Sequence, residues 1–201
     1  MKKRSLYDIL FIFLVCGVLG WIFETLVVYF TQGIMTDRGY LFVMGRLPEY
    51  LPFLKGVPLL KDLHLVWGLP LIEMYGIGAV LISLFFDRYK KQPAKLFFTS
   101  MFGMTLFELL SSYLSSWLLH KTYWDYSKDF LNFQGRICLR SSIAWGVLSL
   151  AMIYFIDPFL DFIYGDFKKE RNYKRIIVVL TVYAIICALT KYWWDPTIIK
   201  N

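Results

Sequence analysis

Most of the chemistry open to this sequence rests on three glutamates, Glu24, Glu73 and Glu108, each of which interrupts an apolar run. A carboxylate inside a hydrocarbon slab is costly, so it faces protein or a wet cavity and takes a partner. The neighbours of all three repeat at helical spacing. Gly17, Gly20 and Glu24 share one helical face, Glu73, Gly76 and Ser83 follow a similar stripe, and Thr105, Glu108, Ser112 and Ser115 form a third. Small residues in such stripes let helices approach closely. The simplest arrangement is a bundle whose outward half holds the three carboxylates, with Arg136, Arg38, Arg46 or Arg140 as counter-ions. Three readings stay open: buried partners that pin loops to helix ends, a polar cavity that binds substrate or passes protons, and a divalent-metal site. No His-x-x-Glu or Asp-x-Asp pattern supports the metal, so none is expected.

The second chemical concentration runs from Trp124 to Trp145. It reads Trp124-Asp125-Tyr126-Ser127, then Asn132, Gly135-Arg136-Ile137-Cys138-Leu139, Ser141, Ser142 and Trp145-Gly146. That mixture is a poor one for a flexible linker. Asp125 is placed to cap a short helix starting at Tyr126. Arg136 offers a bidentate fork to a carboxylate or a lipid phosphate. Trp124 and Tyr126 would stand near the rim of a cavity. His64 and His120 flank apolar runs and read as interfacial residues. Cys16, Cys138 and Cys187 lie far apart with no CxxC, and read as small buried hydrophobes. Serine-hydrolase, P-loop, zinc-protease and dinucleotide fingerprints do not occur, so no cofactor is expected and the chain does not bind ATP by itself.

The elements that must position these residues are membrane helices. The chain of 201 residues is 58% hydrophobic and 19% aromatic, and its apolar residues come in blocks long enough to cross a core of roughly 30 Å. Only helices satisfy the backbone of such blocks in lipid. The expected fold is all-α, a polytopic transmembrane bundle of about five spans over residues 6–30, 65–86, 96–119, 141–164 and 176–194, forming one transmembrane domain over 1–201. The net charge of +7 does not point to nucleic acid, because Lys and Arg sit in dense clusters beside the apolar runs. These are Lys2, Lys3 and Arg4, then Arg88, Lys90, Lys91 and Lys95, then Lys168, Lys169, Arg171, Lys174 and Arg175. Their density places the N-terminus in the cytoplasm and the C-terminus outside. The first span is expected to be a retained anchor, since no small-x-small cleavage site follows it. Trp124, Tyr192, Trp193 and Trp194 would contribute to an outer aromatic belt. The apolar, proline-containing stretch 45–60 is expected to lie in the interface or re-enter the membrane. Asp157-Pro158 predicts a kink in the fourth span.

The central motif, with Gly20-Trp21-Ile22-Phe23-Glu24, Arg38-Gly39-Tyr40, the segment Gly68 to Ala79 and Glu108, closely resembles the bacterial ABC-transporter permease family of the CmpB type. The resemblance covers about residues 17–150. It implies a multi-spanning permease of the bacterial inner (plasma) membrane. The chain departs from the family pattern in the inserted stretch around 45–64 and in Glu73, where the family tends to have no acid.

The leading expectation is therefore a permease-like transport or substrate-binding subunit with an outward-facing polar cavity. Its cavity residues would be Glu24, Glu73, Glu108, Trp124, Asp125, Tyr126, Arg136 and Arg38. Expected partners are the lipid bilayer and either an ATPase subunit or a second copy of the chain. Two alternatives remain. One is a membrane enzyme acting on a lipid-linked substrate at the outer leaflet, with Glu108 or Asp125 as base and Arg136 on phosphate. The other is a non-catalytic assembly or regulatory protein.

Overall fold

A computed structural model describes residues 4–34, 37, 39–46 and 64–193. Among them are five helices and one two-stranded antiparallel hairpin. Helix α1 (Leu6–Gln32) opens with a capping box in which Ser5 and Asp8 satisfy each other's backbone N–H groups. It ends at Gly33, whose left-handed backbone (φ 70°) sends its N–H back to the Tyr29 carbonyl. Strands β1 (Tyr40–Arg46) and β2 (His64–Leu69) follow, then α2 (Glu73–Phe85), α3 (Pro93–Leu119), α4 (Leu139–Phe167) and α5 (Tyr173–Trp193).

Helices α1, α4 and α5 are long and apolar enough to cross a membrane. Helix α3 has 27 residues, ample at 1.5 Å each, but its hydropathy is diluted by Thr99, Ser100, Thr105, Glu108, Ser111, Ser112, Ser115 and Ser116. The expected continuous span at 65–86 is corrected. Residues 64–69 form a strand, and the helix starts only at Glu73. Gly68 sits at φ 107° and Pro70 has no N–H to donate, so a helix cannot run through this stretch. The remaining 13 residues give a helix of about 20 Å, short of a full crossing. The 45–60 stretch lies outside the described residues except for Gly45 and Arg46, which end β1.

The expected disruption at Asp157-Pro158 takes the form of a π-helical turn, Met152–Ile156, immediately before it. One wide turn accommodates a proline that cannot donate back along the helix. Helix α1 packs on α2, and α3 pairs with α4. Helix α5 lies against α1 and the hairpin, where the Tyr183 hydroxyl accepts from the Gly68 N–H at 3.0 Å. One buried cluster (Ile12, Cys16, Ile82, Met104, Trp145, Met152) fills the space among α1, α2, α3 and α4. A second (Leu14, Phe42, Leu71, Tyr164, Ile177, Cys187) joins α1 and α5 to the hairpin.

The antiparallel order sorts charge between the two ends. Arg4 meets Asp157, Asp161 and Ser83 at one end, and there Lys168 also pairs with Asp8 at 3.0 Å. All three glutamates lie toward the opposite, hairpin end.

Candidate functional site

Glu108 is the most deeply placed of the three, 3% exposed on α3. The Tyr126 hydroxyl donates to it at 3.0 Å and the Trp145 indole N–H at 3.2 Å. Both donors are neutral. Burial first, and then the Glu108 carboxylate, push the Tyr126 phenol well above its ordinary range. It therefore remains a donor throughout the neutral pH region.

Glu24 on α1 accepts from the Tyr75 hydroxyl at 2.8 Å. The Tyr75 and Trp145 rings lie 6.3 Å apart, so two aromatic side chains connect the two carboxylates. Close helix approach makes this possible, because a side chain on Gly20 would occupy the position of Tyr75. Glu73, on the first turn of α2, belongs to a separate cluster. It accepts from the Tyr40 hydroxyl at 2.7 Å and from the Tyr192 hydroxyl. Burial, and then the Glu73 charge, raise the Tyr40 phenol above its usual range. The Lys191 ammonium stands 5.2 Å from the centre of the Tyr40 ring and donates to the Gly39 carbonyl at 2.8 Å. The three glutamates thus form a linked pair and a neighbour, not one common pocket.

The loop between α3 and α4 is a folded support for Glu108. Asp125 does not cap a helix, because residues 126–138 contain turns and an isolated bridge between Phe133 and Ile137. Its carboxylate instead accepts from the Ser127 N–H (2.9 Å) and hydroxyl (3.1 Å) in an Asx turn. Asn132 accepts from the Gly135 N–H at 3.2 Å and donates to the Ser127 and Asp129 carbonyls. Gly135 is required twice over: its φ is 67°, and a Cβ would sit 2.7 Å from Asp125 Oδ1.

Arg136, expected as a counter-ion to the glutamates, goes elsewhere. Its Nη1 donates to the Ser112 carbonyl (3.0 Å), the Ser112 hydroxyl (2.8 Å) and the Ser116 hydroxyl (2.9 Å). The guanidinium lies 4.3 Å from the centre of the Tyr113 ring. The Trp124 indole N–H donates to the Arg136 carbonyl at 2.8 Å. Trp124 and Tyr192 therefore turn toward partners within the protein. Trp194 lies outside the described residues, as does Arg38. Arg140 pairs with Asp129 at 3.1 Å near the surface. Arg136→Gln is expected to lower stability by about 2 kcal/mol, the scale of lost hydrogen bonds from a charged donor. A thermal melt reads this directly, and a shift below about 0.5 kcal/mol rules the clamp out.

Three positioning residues escaped the sequence. Asp37 accepts from the Trp21 indole and from the Gly39 and Leu41 N–H groups (3.1 Å each), tying β1 to α1. Cys138 and Ser141 form a capping box at the start of α4, with a thiol where serine usually stands. Asp37 gave no signal, lying in a segment read as loop. The Cys-x-x-Ser spacing before an apolar run was the visible clue for the other two. No group of three or more metal-ligating side chains occurs among the described residues.

Apolar helices of spanning length, with carboxylates met by aromatic donors at one end, define a polytopic helical membrane protein. The chain belongs to the family described as "Putative ABC-transporter type IV", of the CmpB type, whose family model matches residues 11–191. No curated protein and no solved structure matches it. Family and helices together mark a membrane protein related to transport.

Proposed function

We propose that the chain is a permease-like transport subunit of the bacterial cytoplasmic membrane. Its N-terminus is cytoplasmic, its C-terminus external, and its hairpin end faces outward. The substrate is engaged from that side at the Glu24–Tyr75–Trp145–Glu108 layer, and the loop carrying Trp124, Asp125, Tyr126 and Arg136 holds the layer in register. An ATPase subunit or a second copy of the chain completes the pathway, since five helices enclose little space for one.

The observation that carries this reading is Glu108. It is 3% exposed on α3, the helix paired with α4, and takes hydrogen bonds from Tyr126 and Trp145, both uncharged. A buried carboxylate met by uncharged donors, with no ion pair to it among the described residues, is the kind of group that substrate or proton pathways use. The basic clusters at the opposite end support the orientation.

The test is a thermal-shift screen of the purified protein against a solute panel, run in parallel on Glu108→Gln. Any hit is then taken to flux measurements in proteoliposomes. The expected result is a solute that stabilises the native protein, loses at least tenfold in affinity in Glu108→Gln, and crosses the bilayer only when the protein is present. A hit that binds both proteins equally overturns the proposal.

A further inference from the structure

Between α1, α2 and α4 lies a half-open cavity of about 170 Å³. Phe23, Tyr75 and Trp145 supply its aromatic wall, and Leu19, Ile82 and Met152 are among its aliphatic lining. The Phe23 and Tyr75 rings meet edge-on at 6.1 Å, and Tyr75 and Trp145 are tilted toward each other at 6.3 Å. Glu24 and Glu108 do not line the cavity; each stands one hydrogen bond behind it, on the Tyr75 hydroxyl at 2.8 Å and the Trp145 N–H at 3.2 Å.

This arrangement selects among ligands. An apolar cavity of about 150 Å³ takes up a benzene-sized group and otherwise stays dry, so the volume suits an apolar moiety. A hydrated metal ion or a primary ammonium needs acceptor oxygens, which the lining does not offer. Donation from a phenol or an indole to a carboxylate pushes electron density onto the ring and strengthens its attraction for a cation. The acceptors of that donation are Glu24, behind Tyr75, and Glu108, behind Trp145. A cation that needs no hydrogen-bond acceptor and sits against aromatic faces meets every one of these conditions.

We propose that this cavity binds a lipophilic organic cation of the quaternary ammonium class, its charge against Tyr75 and Trp145 and its apolar part toward Ile82 and Met152. The inference rests on the transport reading only for the passage of the cation once it is bound. The test is isothermal titration of the full chain in dodecyl maltoside with phenyltrimethylammonium and with its neutral isostere tert-butylbenzene, against protein-free micelles. The expected result is saturable one-to-one binding of the cation, at least tenfold tighter than the isostere. Glu24→Gln should weaken the cation at least threefold and leave the isostere unchanged. Equal affinities for the two probes, or no saturable binding of the cation, overturn the inference, and this comparison needs no variant to fold. Saturable cation binding, alongside solute hits that bind the native protein and Glu108→Gln equally, would instead overturn the transport reading and leave the site standing.

Discussion

Arg4→Ala is expected to destabilise the folded protein by about 3–5 kcal/mol, the cost of removing one partner of a buried ion pair. The Arg4 side chain is 4% exposed, donating to Ser83 at 2.8 Å, to Asp161 at 3.1 Å and to Asp157. It joins the segment before α1 to both α2 and α4. Asp157, 8% exposed at its side chain, would lose its direct contact with the guanidinium, while Ser83 stays at 3.4 Å. Arg4→Met with Asp157→Leu should recover most of the loss, because an apolar pair of similar volume strands no charge. Thermal unfolding of the two single variants and the double variant, closed as a cycle, measures the coupling. Additive effects, or a single-variant loss below about 1 kcal/mol, would show that the residues do not act as a pair. Arg4 serves twice: its sequence position marks a topology-setting charge, yet the fold draws its guanidinium inward.

Gly20→Ala is expected to cost about 3 kcal/mol and to break the Tyr75–Glu24 contact, since overpacking at a helix seam forces backbone or ring to move. A Cβ there would lie 2.3 Å from both Cβ and Cγ of Tyr75, atoms too near the α2 backbone to swing aside. Gly17 and Gly76 flank the same seam, where added methyls would meet Leu71 Cγ at 2.6 Å and the Phe13 carbonyl at 2.6 Å. Gly165→Ala is the control. Nothing lies within 4 Å of its Cβ position, so the same substitution should be neutral or slightly stabilising in a helix. Comparing their melting temperatures separates packing from propensity. Equal shifts in the two variants would remove the seam as the cause.

The small-residue stripe at Gly17, Gly20 and Glu24 was legible because helical periodicity places those residues on one face whatever surrounds them. The same logic located the glutamates on separate helices at a common end, opposite the clustered Lys and Arg. It failed at 65–72. Hydropathy counts Val66, Trp67, Leu69 and Leu71 as span residues, but Gly68 and Pro70 set backbone angles and donors that hydropathy does not weigh. Arg136 was misdirected for a related reason. A charge rule looks for the nearest carboxylate, whereas in the fold the hydroxyls of Ser112 and Ser116 and the Ser112 carbonyl lie within its reach.

By itself, the sequence determined the membrane class, the number and order of helices, and the segregation of the basic clusters from the three glutamates. These follow from hydropathy and from a repeat of about 3.6 residues, both local properties of the chain. Only the tertiary structure decided which donor meets which carboxylate. Tyr192 reaches Glu73 across 119 positions and Trp145 reaches Glu108 across 37. Such pairings depend on which helices pack together and how closely, and close approach is set by glycines whose effect appears only when a second helix fills the space they leave.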